Sequence, residues 1–113
     1  MNAHVSSAER TRELNDAFRT SGPSAGGWML TAGVRAYGPD FIQLAIQAVK
    51  GHASFTADND PYGERDFGSF NLAGEHLFWK IDHYDRELVY GSEDPSNPAI
   101  TQRILTIMLA SEY

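Results

Sequence analysis

Apolar and polar positions follow two rhythms along this chain. Leu14, Ala17 and Phe18 recur at helical spacing among the polar residues Arg10, Arg12, Glu13, Asn15 and Asp16. Ahead of them, Ser6-Ser7-Ala8-Glu9 sets a hydroxyl before a carboxylate, the pattern of a capping box. The spacing predicts a helix over 7–20, ended by the loop Ser21-Gly22-Pro23-Ser24-Ala25-Gly26-Gly27. Trp28 to Ala32 is a short apolar run and reads as a strand, which Gly33 breaks. Gly38-Pro39 opens a second helix with Phe41, Ile42, Ala45, Ile46 and Val49 on its apolar face and Gly51 as its stop. His52 to Gly63 is rich in turn formers and is expected to be a loop.

From Asp66 the period changes to two. Asp66 to Leu72 predicts a strand, Ala73-Gly74 a turn, and Glu75 to Tyr84 the longest strand. In the latter, Leu77, Trp79 and Ile81 share one face, and His76, Phe78, Lys80, Asp82 and Tyr84 the other. A two-residue turn places Gly68 opposite Trp79, whose ring then covers bare backbone; a three-residue turn shifts that register. Leu88-Val89-Tyr90 is expected to return as a third antiparallel strand. Asn97-Pro98 suits a helix start, and Ile100, Ile104, Leu105, Ile107, Met108 and Leu109 predict a closing helix that buries Ile104, Ile107 or Met108 against the sheet.

These elements make an α+β protein of order α-β-α-β-β-β-α, with a three- to four-stranded antiparallel sheet and helices packed on one face. A length of 113 residues fits a single domain, 1–113, with residues 1–5 expected to be disordered. With no cysteine there is no disulfide framework, thiolate zinc site or cysteine nucleophile. The opening Met-Asn-Ala-His-Val-Ser-Ser lacks the basic-then-apolar pattern of a secretory leader, and no apolar run approaches the roughly 18 residues of a membrane span. The expected location is the cytoplasm.

Charge changes the picture most. The formal net charge is −6, yet the stretch from Asp58 to Asp94 alone holds ten acids against Arg65, Lys80 and Arg86, a balance of −7. Such a field repels nucleic acid and attracts basic partners. The candidate partner-binding residues are Asp58, Asp60, Glu64, Asp66, Asp82, Asp85, Glu87, Glu93 and Asp94. If Asp58 with Asp60, Glu64 with Asp66, and Asp85 with Glu87 lie on strands, each pair shares a face about 6.8 Å apart, a row able to imitate part of a phosphate backbone. The competing explanation is a merely solvating face. Tyr37, Tyr62, Tyr84, Tyr90 and Tyr113 fit either core-edge packing or anchors around the acidic surface.

Motifs for chemistry are weak. Asp58-Asn59-Asp60-Pro61-Tyr62-Gly63 begins like a calcium loop, but Ser69 stands where the bidentate glutamate belongs, so tight calcium binding is not expected. Asp66-Phe67-Gly68 has none of the companion elements of a kinase, and Gly26-Gly27 lacks the Gly-Lys-Ser/Thr ending of a phosphate loop. His83 or His76 with a neighbouring carboxylate is the one arrangement that suggests a small enzyme, although His83 and Asp82 point to opposite faces of a regular strand. No catalytic residue, metal or cofactor is therefore assigned.

Several segments are distinctive together: Leu14-Asn15-Asp16-Ala17-Phe18-Arg19, Thr31-Ala32-Gly33-Val34, Asp58 to Glu64, Asp66-Phe67-Gly68, Phe78-Trp79-Lys80-Ile81-Asp82, Gly91-Ser92-Glu93-Asp94-Pro95 and Leu105 to Ala110. From about residue 10 to 113 the chain resembles a family of small alphaproteobacterial proteins known as a domain of unknown function. That resemblance implies no activity. The association of such proteins with phages and plasmids implies an anti-defence role, such as an anti-CRISPR. The expectation is thus a non-enzymatic inhibitor that occupies a basic protein surface, for instance on a CRISPR surveillance complex, and blocks its DNA binding without itself binding nucleic acid or membrane. The alternatives are a small enzyme using His83 or His76, and a regulatory or structural protein.

Overall fold

The computed structural model describes residues 6–113; the expectation for residues 1–5 lies outside them. The chain runs α1 (Ser7–Ser21), β1 (Trp28–Leu30), α2 (Ala32–Arg35), α3 (Pro39–Lys50), β2 (Phe67–Leu72), β3 (Glu75–Tyr84) and β4 (Gln102–Leu109), with short 3-10 turns at Pro23–Ala25 and Ala110–Glu112. Both long helices begin as their sequences dictate. The Ser6 hydroxyl accepts the N–H of Glu9, and Pro39 occupies the first turn of α3.

The four strands form one sheet in the order β1-β4-β3-β2. Its β2–β3 and β3–β4 pairs are antiparallel and β1–β4 is parallel, so the sheet is mixed. The β2–β3 connection is the two-residue turn: Ala73 and Gly74 both have positive φ, and Leu72 pairs with Glu75. This register sets Gly68 opposite Trp79. The indole lies over Gly68, where a Cβ would collide with its Nε1 edge. Leu77, Trp79 and Ile81 of β3 and Leu105 and Ile107 of β4 are buried beneath Val34, Phe41, Ala45, Ile46 and Val49 of α2 and α3, with Phe18 of α1 packed alongside. The helices therefore cover one face.

Two predicted elements are corrected. The closing helix is the strand β4, at the centre of the sheet. Arg103, Leu105 and Ile107 are buried on the helix-covered face, while Gln102, Ile104, Thr106 and Met108 lie on the other. A strand flanked on both sides is apolar on both faces, and that run matches a buried helix equally well by spacing. Its β-branched residues Ile104, Thr106 and Ile107 favour the strand. Asn97-Pro98 starts a turn, with the N–H of Ala99 bound to the Asn97 side chain. The strand expected at 88–91 is a tight loop, closed by the Asp85 N–H to the Tyr90 carbonyl at 2.8 Å and an isolated bridge from Tyr84 to Gly91. The Asp85 carboxylate takes the N–H groups of Val89 and Tyr90 and leaves them nothing to offer a ladder.

Candidate functional site: an acidic end of the sheet

β2 begins, β3 ends and β4 begins at the same end of the sheet, as the register Phe67↔Lys80 and Tyr84↔Gln102 requires. The loops 51–66 and 85–101 leave from that end. All nine candidate acids lie on these loops or, for Asp82, near the end of β3 that adjoins them.

They do not form the strand-borne row. Asp58 and Asp60 sit in turns, Glu64 and Asp66 precede β2, and Asp85 and Glu87 belong to the tight loop, so none of the three pairs shares a strand face. The chain spends several of these carboxylates on its own backbone. Asp60 accepts the N–H of Arg65 at 3.0 Å, Asp85 caps its loop, and Asp94 accepts the N–H and hydroxyl of Ser96. Asp82 is held by Lys80 at 2.6 Å. Glu64 and Asp66 are half-buried and close to Asp60. Burial, then the neighbouring carboxylates, push the Glu64 carboxyl above its ordinary value, and Asp66 is raised chiefly by burial. Asp58, Glu87 and Glu93 remain exposed with no hydrogen-bond partner among the described residues.

Apolar side chains stand beside the acids. Leu88, Val89 and Tyr90 are 51%, 62% and 74% exposed at the tip of the Asp85-capped loop, with Leu88 held at φ 61°. A left-handed leucine is uncommon and persists only where its surroundings fix it. Tyr62 is exposed on the other loop, 51–66, and Ile100 near the end of 85–101. A cavity of about 350 Å³ within the 85–101 segment is lined by Asp85, Tyr90, Gly91, Glu93 and Ile100. Sequence spacing missed this patch because Leu88-Val89-Tyr90 has the composition of a strand.

Behind the acidic end lies a polar layer also missed in the sequence. The buried residues of α1 are Thr11, Asn15 and Arg19, one helical face, whereas Ala17 is exposed. Asn15 donates to the Glu64 carbonyl at 2.9 Å, and its Oδ1 accepts from Arg103 Nε at 2.7 Å and faces His83 Nε2 at 3.0 Å. With Asn15 Nδ2 committed to Glu64, its Oδ1 is an acceptor, so His83 carries its proton on Nε2. Burial, then the Arg103 guanidinium, hold His83 down at about 4, with Asp82 opposing. Arg19 donates to the carbonyls of Val49, Lys50 and His52, closing the end of α3, and its guanidinium lies 5.3 Å from the Trp79 ring centre. The signal was the unbroken i, i+4 series Thr11, Asn15, Arg19.

Neither histidine reaches a carboxylate: His83 meets Asn15, and His76 meets the Asn71 side chain at 2.8 Å. Among the described residues no group of three or more histidines, cysteines or acids is placed to hold a metal, and no helix is long and apolar enough to cross a membrane. In loop 58–66 the Asn59 side chain accepts the N–H of Thr56, and Asp60 that of Arg65, so the apparent calcium loop is a series of turns stabilised by its own side chains.

A family model described as "Protein of unknown function (DUF3768)" matches residues 30–112. No curated protein and no solved structure matches the chain.

Proposed function

The chain belongs to the DUF3768 family, and we propose that this member is a non-enzymatic binding protein that docks its acidic end on a basic surface of another protein. One observation carries this: nine acids and the exposed apolar side chains Tyr62, Leu88, Val89, Tyr90 and Ile100 meet at one end of the sheet. A solvating face has no use for exposed leucine, valine and tyrosine on a loop that its own aspartate holds in shape. Interfaces combine such apolar anchors with a charged rim that steers the encounter. The same charge disfavours nucleic acid and anionic membranes as direct ligands. The basic surface best matched is the nucleic-acid-binding face of a host defence complex, which this end would occupy in competition with DNA. The association with mobile elements implied by the family resemblance supports an anti-defence setting, of which an anti-CRISPR inhibitor is the most specific form.

The test uses the acids that serve no turn. Asp58→Asn, Glu87→Gln and Glu93→Gln combined should leave melting unchanged. They should weaken capture of basic proteins from a host extract and flatten its salt dependence. DNA should displace the wild-type chain from the captured protein. Capture that persists at high salt and in the triple variant would sink the proposal.

A further inference from the structure

We propose that β2 is a dimerisation edge, pairing antiparallel with β2 of a second copy of this chain. The observation is an account of backbone hydrogen bonds. The N–H of Ile81 donates to the carbonyl of Asp66 at 2.8 Å, which makes 66 and 81 a hydrogen-bonded pair. The antiparallel alternation then turns Gly68, Phe70 and Leu72 toward β3, and the N–H and C=O groups of Phe67, Ser69 and Asn71 toward the free edge. Among the described residues those outward groups have no partner, and the loop passing this edge does not close over it. It leaves a cleft of about 320 Å³ between His52, Ser54 and Asn59 on the loop and Phe67, Gly68 and Ser69 on the strand.

Exposed edges are usually blunted by charge, proline or brevity. The other edge obeys: β1 is three residues long. β2 is six residues, Phe-Gly-Ser-Phe-Asn-Leu, without charge or proline. Pairing about a two-fold axis through Ser69 sets Phe67 against the partner's Asn71 and makes about six backbone hydrogen bonds. It joins the two sheets into one. Charge is compatible with a second copy as the occupant. The strand is neutral, and antiparallel pairing sends the two acidic ends to opposite extremities, where their repulsion is least. The dimer then presents two docking ends, one at each extremity.

Sedimentation equilibrium over a concentration series tests this. The wild-type chain should approach twice its 12.5 kDa mass. Ser69→Lys and Ser69→Glu should each be monomeric, since like charges face each other across the axis, and an equimolar mixture should restore a mixed dimer. Ser69→Pro, which removes only an outward N–H, should also be monomeric with unchanged circular dichroism. A wild-type chain monomeric throughout, or a dimer indifferent to both charged variants, overturns the proposal.

Discussion

Asn15→Leu isolates the polar layer that ties α1 to the sheet. The substitution keeps the size of the side chain, is favourable to helix, and leaves little room for water to replace what is lost. Three groups lose their partner in a place where Asn15 is 0% exposed: Arg103 Nε, the His83 Nε2 proton and the Glu64 carbonyl. Leaving a buried polar group unsatisfied costs about 1–3 kcal/mol. Three such groups together would cost about 3–9 kcal/mol; Arg103 keeps its bond to the Pro95 carbonyl, and His83 and Glu64 lie partly within reach of solvent, so the sum falls toward the lower part of that span, about 3–5 kcal/mol. With an unfolding slope of about 1–3 kcal/mol per molar urea, the midpoint should fall by about 2 M. Urea melts followed by tryptophan fluorescence read this directly, because Trp79 lies under α1 and α3. A loss below about 1 kcal/mol would refute the claim that this layer, rather than the apolar side chains of α1 alone, fastens the helix.

Other outcomes follow from the same structure. Between its ordinary value of 6.5 and about 4, unfolded His83 binds a proton that the folded chain refuses, so its contribution is complete above 6.5, is lost as pH falls through this window and levels off below about 4. The raised carboxyls of Glu64 and Asp66 act in the opposite sense, their contribution being lost as pH rises, so the histidine effect is read as the difference between wild type and His83→Gln in urea melts at stepped pH. Asp85→Ala should destabilise by about 1–2 kcal/mol, because the loop loses the acceptor of two N–H groups; an unchanged melting temperature would show the loop to be held otherwise. Gly68→Ala should destabilise by about 2 kcal/mol or more through collision with the Trp79 indole, and a neutral result in a thermal melt would mean the ring moves freely.

The sequence was most readable where local chemistry decides the backbone. Ser6, Pro39, Ala73-Gly74 and the alternation of 75–84 fixed α1, α3, the hairpin and the pairing of Gly68 with Trp79. It was least readable where a distant partner decides. Nothing within Ile104–Leu109 reveals that β1 and β3 will flank it, and an apolar run takes whichever form its neighbours complete. Leu88–Tyr90 misled for the converse reason, since one aspartate upstream outweighed three strand formers. The crowding of acids into 58–94 was readable from charge alone, but not their gathering on loops at one end of the sheet. The individual carboxylates were not, because turn capping by Asp60, Asp85 and Asp94 depends on loop geometry. Asn15 and Arg19 were hidden by their polarity: they are buried because His83, Arg103 and the carbonyl end of α3 arrive from 30 to 88 residues away.

The position of β4 also orders events during synthesis. A ribosome delivers the chain from its N-terminus, and α1, α3 and the β2–β3 hairpin contain all their local contacts by Tyr84. Among the described residues, however, β1 has no neighbour except β4, and β3 has only β2 until β4 arrives. The nascent chain thus waits with a bare β1 and a half-paired hairpin until residues 102–109 have emerged, and then closes the sheet by inserting its last strand between them. A stop codon ahead of residue 102 would take the middle out of the sheet, so that product should be chaperone-bound or degraded rather than a shortened domain.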